Sequence, residues 1–270
     1  MSIRKLFVYS LARFYYKNFF SLNIIKQKLS FKSKLDKKYK TIVKELKKNG
    51  YIKIPNFFSQ VEIEKFKENI IKNLDQLDEK HIQEKTSGVI LYDDNYKMIK
   101  KEYGYSRLFH LENFNSHIDL FINNPTIKEI VSEYYGRESF PYHNTAQKSL
   151  PIESCGLDWH IDDYLPRFKA LVYLHDVELE DGPFSILKYS QKVFWSKLVK
   201  IHKMYTNNYN EDSIFTPDEV QRLKFDKIVC TGKAGDLFLV DVCGVHRGLP
   251  ISKGHKRYAL FNFYSPDRKN

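Results

Sequence analysis

From Phe140 onward the chain is written in short strand-forming segments separated by turns, and that texture limits the fold more than any other feature. "FKALVYLHDV", "GPFSILKYS", "AGDLFLVDVCGVHRG" and "KRYALFNFYSP" are each rich in β-branched and aromatic residues. The aromatic share, 15%, is mostly Phe and Tyr, which suits strands. The first half reads differently. A helix is predicted to end at Asn49-Gly50, where Gly supplies a left-handed cap, and a short strand follows from Tyr51 to Pro55. Ser59 and Glu62 form a capping box for a second helix, with Val61, Ile63, Phe66, Ile70, Ile71 and Leu74 on its apolar stripe. "SHIDLFINNPTIKEIVSEYYG" predicts two helical pieces split at Asn124-Pro125 and closed by Gly136. Residues 192–227 interrupt the strands with a more helical insertion. Helices followed by a run of strands predict an α+β protein, mainly β, with N-terminal helices packed on a barrel.

The tripeptide His-Ile-Asp occurs twice, as His117-Ile118-Asp119 and as His160-Ile161-Asp162. Residues two apart point the same way on a strand and diverge on a helix. The first copy falls in the helical stretch and reads as a solvated helix face. The second falls where the chain turns strand-like, so His160 and Asp162 can converge on one ion. His246 ends the run "GDLFLVDVCGVHRG", and parity places it on one face with Phe238, Val240, Val242 and Gly244. Two histidines and a carboxylate are the donor set of non-haem Fe(II) oxygenases. Beyond the turn-forming "GLPISKG", Arg257 shares a face with Ala259, Phe261 and Phe263. A guanidinium aimed into an apolar barrel requires a carboxylate partner, and a ligand dicarboxylate would meet that need bidentately.

The net charge of +11 is concentrated at one end. Residues 1–40 carry 11 Lys/Arg and one acid, Asp36, while the remainder is balanced to +1. This basic arm also holds Phe and Leu at roughly helical spacing. A helix packed on the body is one reading, contact of residues 1–35 with an anionic membrane surface another, and nucleic acid or a protein partner the least favoured. No run of 18 apolar residues and no convincing signal peptide is present, so the expected location is cytoplasmic, with the arm at the membrane's inner face. Cys155, Cys230 and Cys243 are too few and too scattered for a disulfide framework and read as free thiols. The expected organisation is an arm over 1–40 and a single domain over 41–270. Oligomeric state is not legible.

"KKNGYIKIPNFFSQVEIEKF", "DWHID", "EDGPFSILKYSQK", "GDLFLVDVCGVHRG" and "HKRYALFNFYSP", in this order over roughly residues 41–267, resemble the phytanoyl-CoA dioxygenase family of Fe(II)/2-oxoglutarate oxygenases. The resemblance implies a double-stranded β-helix, a cupin-like jelly-roll barrel. It implies iron ligands His160, Asp162 and His246, with Arg257 on the distal carboxylate of 2-oxoglutarate. The implied reaction hydroxylates an aliphatic C–H bond with O2. Its substrate would be acyl, lipid-linked, glycan-precursor or a small metabolite, and Asp163, Tyr164, Arg167 and Tyr173 are candidates to face it. Many members place a hydroxyl two residues beyond the distal histidine, where this chain has Gly248. Gln147 or Lys148 is the expected substitute for that co-substrate contact. The competing reading is a non-catalytic jelly-roll binding module, recruited to membrane or nucleic acid by the arm.

Overall fold

The computed structural model describes residues 22–82, 91–93, 97–100, 104–151, 158–162, 167–192, 197–200 and 214–266. Helices α1 (Leu22–Ser30) and α2 (Lys37–Asn49) precede strand β1 (Tyr51–Ile54). Helices α3 (Gln60–Lys67) and α4 (Ile70–Ile82) follow, then strands β2 (Leu91–Asp93), β3 (Lys97–Lys100) and β4 (Tyr105–Phe109). Next come helices α5 (Asp119–Ile122) and α6 (Pro125–Tyr135), and strands β5 (Phe140–Ser149), β6 (Trp159–His160), β7 (Phe168–Tyr173) and β8 (Phe184–Leu187). Strand β9 (Ile214–Phe215), helix α7 (Pro217–Leu223) and strands β10 (Lys227–Cys230), β11 (Leu237–Asp241), β12 (His246–Gly248) and β13 (Arg257–Ser265) complete the order.

The strands make two antiparallel sheets, ordered β1-β11-β7-β13-β5-β4-β3-β2 and β10-β8-β12-β6-β9. This is the expected jelly-roll class, although among the described residues the sheets do not close into a barrel. Side-chain parity divides the larger sheet. Phe168, Ala170 and Val172 of β7, and Tyr258, Leu260 and Tyr264 of β13, pack under the helices with Phe66, Phe121 and Ile130. Leu171, Tyr173, Phe238, Val240 and Ala259 face the smaller sheet and meet Phe184 and Ile186. Both faces are buried, which is why these strands read as near-continuous apolar runs. Each fully buried Phe or Leu here contributes about 1.5–3 kcal/mol of transfer free energy.

Local signals place the helices. Gly50 ends α2 with φ 82° and its N–H donates to Leu46 O. Ser59 and Glu62 make the reciprocal capping box of α3. Asn124 caps α6, Pro125 occupies its first turn and Gly136 closes it at φ 66°. The second expected helix is instead two, because Asn69 takes φ 60° and breaks the run before Ile70. Val61 is exposed, whereas Ile63, Phe66, Ile70 and Leu74 are fully buried.

The run "GDLFLVDVCGVHRG" is also two elements rather than one strand. A tight turn, closed by Gly244 N–H donating to Asp241 O at 2.8 Å, carries the chain from β11 in the larger sheet to β12 in the smaller. His246 therefore does not share a strand face with Phe238 and Val240; it lies across the sandwich from them. The expected arm boundary at residue 40 is crossed by packing, since Ile24 and Leu35 are buried and Leu35 joins the core with Val43 and Leu46. Residues 1–21 lie outside the described residues. Among those described, no helix is long and apolar enough to cross a membrane.

Candidate metal centre

His160 and His246 are direct cross-strand partners on β6 and β12. The turn before β12 is heavily fixed. Asp241 accepts from Tyr134 Oη at 2.7 Å and from Cys243 N at 2.9 Å. The buried Lys197 ammonium donates to Cys243 O at 2.6 Å and Ser190 O at 3.1 Å. Gly244 is needed for space, since a Cβ there would stand 3.0 Å from Ile186 Cδ1 and 3.1 Å from Asp241 O.

Hydrogen bonding sets both tautomers. His160 Nδ1 lies 2.7 Å from Asp158 O, and His246 Nδ1 lies 2.8 Å from Gly244 O. A carbonyl can only accept, so each Nδ1 carries a hydrogen and each Nε2 is the ring nitrogen turned toward Asp162. Both Nε2 atoms lie 3.4 Å from Asp162 Oδ1. The three ligand atoms fall within 4.8 Å of one another. Three potential ligand atoms converge, and such a cluster suits a cation. Burial keeps the His246 imidazole neutral, with its pKa lowered to about 4. Burial raises the Asp162 carboxyl, but the Lys169 ammonium and the contacts to His246 and His160 together outweigh it and hold the group well below the ordinary carboxylate range. The neutral His246 imidazole and the ionised Asp162 carboxylate are in the protonation states a divalent metal requires.

Lys169, which the sequence motifs do not single out, belongs to the site. Its Nζ lies 2.5 Å from Asp162 Oδ2 and 3.3 Å from His246 Nε2, and it is buried. One cavity is lined by the triad together with Gln147, Lys169, Arg257 and Phe261. A larger cavity, about 740 Å³, lies apart from it, against Lys32, Lys34 and Arg137, and contains none of the candidate residues.

Arg257 is buried on β13, and burial lowers its pKa. Its Nη1 meets no hydrogen-bond partner. An orphaned guanidinium nitrogen beside the triad fits a carboxylate-bearing ligand. Nη2 lies 3.4 Å from Ser149 Oγ, across the β5–β13 register that pairs Arg257 with Ser149. Arg107 Nε donates to Gln147 Oε1 at 2.7 Å, which orients the amide so that Nε2 donates to Ser149 Oγ at 2.7 Å. Ser149 thus accepts from two groups that can only donate toward it, and its own hydrogen is left to give.

The other candidates separate by position. Gln147 is in the cavity, but Lys148 is on the opposite face of β5, where its ammonium pairs with Asp75 at 2.9 Å. A one-residue step along a strand reverses the face, so Lys148 does not reach the site. Tyr173 does not line the cavity either. It is fully buried, donates to Cys230 O at 3.0 Å and accepts from Phe184 N at 2.9 Å, which makes it core packing. Arg167 lies at the edge, donating to Tyr142 Oη at 3.0 Å. Asp163 and Tyr164 lie outside the described residues, as does Cys155. Among the described residues, Cys230 and Cys243 form no disulfide. His117 and Asp119 are exposed on their helical segments, away from the triad.

Two facing antiparallel sheets with two histidines and a carboxylate on their inner surface define a jelly-roll protein with a facial-triad donor set. The chain belongs to the phytanoyl-CoA dioxygenase (PhyH) family, whose family model matches residues 46–259. Membership makes it a dioxygenase-type oxidoreductase. No curated protein sequence matches it. Among solved structures it is similar to SnoK, a non-haem α-ketoglutarate-dependent carbocyclase from nogalamycin biosynthesis, at 16% identity and TM-score 0.59, covering 86% of this chain and 84% of that one. It is also similar to AviO1 from Streptomyces viridochromogenes Tue57, at 14% identity and TM-score 0.57, covering 88% and 98%. HygX from Streptomyces hygroscopicus, with nickel, 2-oxoglutarate and hygromycin B bound, matches at 16% identity and TM-score 0.53, covering 86% and 88%. At these identities the likeness shows the fold.

Proposed function

We propose that this chain is a non-haem Fe(II)/2-oxoglutarate-dependent dioxygenase that hydroxylates an aliphatic C–H bond of a small-molecule or lipid-linked substrate. One observation carries the reading: three converging electron-pair donors share a cavity with a buried guanidinium whose Nη1 is unpartnered. In this reading His160, Asp162 and His246 hold the iron. Arg257 and the free hydrogen of Ser149 hold the distal carboxylate of 2-oxoglutarate, Ser149 doing so in place of the hydroxyl that Gly248 lacks. Gln147 orients Ser149 rather than touching the co-substrate. Iron, when bound with 2-oxoglutarate and O2, supplies the oxidation, in which one oxygen atom enters the C–H bond and the other leaves in succinate, with release of CO2. Phe261 and Phe184 keep the surroundings apolar, which limits water at the reacting centre.

Asp163 and Tyr164, next to Asp162 in sequence, remain the nearest candidates for substrate contact. Two neighbours support a small-molecule substrate: HygX holds hygromycin B, and the epimerase SnoN holds nogalamycin RO. A non-catalytic module has no use for an orphaned buried cation beside three lone-pair donors. The basic arm would keep the enzyme at the cytoplasmic face of a membrane, and liposome co-sedimentation with and without residues 1–35 tests that part separately. For the site, Fe(II) and 2-oxoglutarate are added anaerobically and the weak visible charge-transfer band is followed. His160→Ala should abolish the band and His117→Ala should retain it. Loss in both, or in neither, overturns the assignment. With a substrate in hand, mass spectrometry showing an added oxygen atom distinguishes hydroxylation from epimerisation or ring closure.

A further inference from the structure

Lys169 is a charged residue in the middle of an apolar strand, "FKALVY", with its ammonium turned inward. Its Nζ lies 5.8, 5.5 and 5.3 Å from the ring centroids of Phe184, Phe261 and Phe263. Its polar contacts there are Asp162 Oδ2 at 2.5 Å and His246 Nε2 at 3.3 Å. These two contacts differ in kind. Oδ2 is the carboxylate oxygen turned away from the histidines, since Oδ1 is the one 3.4 Å from both Nε2 atoms. A metal on Oδ1 therefore leaves the Lys169–Oδ2 pair intact. His246 Nε2 has a single lone pair, because Nδ1 carries the hydrogen donated to Gly244 O. The ammonium and a metal ion require that same lone pair.

We propose that Lys169 is a tethered cation that competes with the metal for His246. It anchors Asp162 through Oδ2 and donates to the Nε2 of His246, and metal loading requires that second bond to break. Lys169 is a positioning residue with two opposed effects: it steadies the donor cluster and weakens its hold on a divalent ion. A residue that only orients a ligand strengthens metal binding, so the two roles predict opposite signs. This inference rests on the triad being a metal site.

The test is calorimetric titration of chelator-stripped protein with Ni(II), which needs no turnover, on the wild type and on Lys169→Met. A charge-assisted hydrogen bond corresponds to roughly one power of ten in affinity, so Lys169→Met should bind Ni(II) about tenfold more tightly. The stripped variant should also unfold at a lower temperature than stripped wild type, because Asp162 and His246 have lost their shared cationic donor. Lys169→Gln, which keeps an uncharged donor, should fall between the two in affinity, and it provides the comparison if Lys169→Met does not fold. Equal or weaker Ni(II) binding by the variants, with wild type binding normally, overturns this inference alone. Absence of binding by wild type overturns the metal centre and this inference with it.

Discussion

A β-carbon placed on Gly248 would stand 3.1 Å from Nη2 of Arg257, so the glycine and the guanidinium are in contact through the loop that joins β12 to β13. Gly248 has no left-handed backbone to protect, and a side chain there acts by crowding alone. Gly248→Val should push the guanidinium off its position and weaken 2-oxoglutarate binding by about tenfold or more. Ni(II) affinity should be unchanged. Co-substrate and metal titrations on the same variant check both halves, and a loss of metal affinity would show that the crowding spreads to His246.

Arg257→Met should separate binding from stability. Removing a bidentate charge-assisted partner costs about a hundredfold in 2-oxoglutarate affinity. Removing a buried charge whose Nη1 is unpartnered should leave the ligand-free unfolding midpoint unchanged or raised. A sharply lowered midpoint would mean that the guanidinium has a structural partner after all.

Gln147 and Lys148 are adjacent and should behave oppositely. Gln147→Leu breaks the chain from Arg107 to Ser149 and should weaken 2-oxoglutarate binding several-fold. Lys148→Met should leave it untouched and cost about 0–1 kcal/mol in stability, since the Asp75 side chain is 39% exposed. Reversed outcomes would put Lys148 in the site.

Acid should destabilise the metal-free protein through His246. The unfolded imidazole protonates near 6.5 and the folded one only near 4. Between those values the unfolded chain binds the extra proton, so stability falls as pH drops through the window, at up to about 1.4 kcal/mol per unit. Above 6.5 both states are neutral at this residue and its contribution is flat. Urea unfolding midpoints of wild type and His246→Gln across pH 4–7 check this; the variant should show the shallower slope.

Much of the molecule is legible in its residues. Gly50, Ser59 with Glu62, and Asn124-Pro125 carry their own stop and start signals, because caps are local hydrogen-bond problems. His160 and Asp162 are readable from their two-residue spacing, although strand β6 ends at His160 and Asp162 lies in the bend that follows. Register is not local, and the errors collect there. Lys148 and Gln147 differ by one position, and only the pairing of Ser149 with Arg257 tells which of them faces the cavity. Tyr173 sits on the inward face yet lies among Leu171, Phe238 and Ala259, a depth that periodicity does not report. Lys169 had a usable signal: one cation among the apolar neighbours of β7, on the same parity as Leu171.

The pairing of Ser149 with Arg257 also bears on how relatives of this chain are found. A hydroxyl beside a guanidinium can be supplied from the next strand as readily as from the same loop, since hydrogen-bonded neighbours across a sheet sit as close as neighbours along it. A screen that demands a hydroxyl two positions after the distal histidine would discard this sequence as defective. One that asks which residues stand opposite the arginine would keep it.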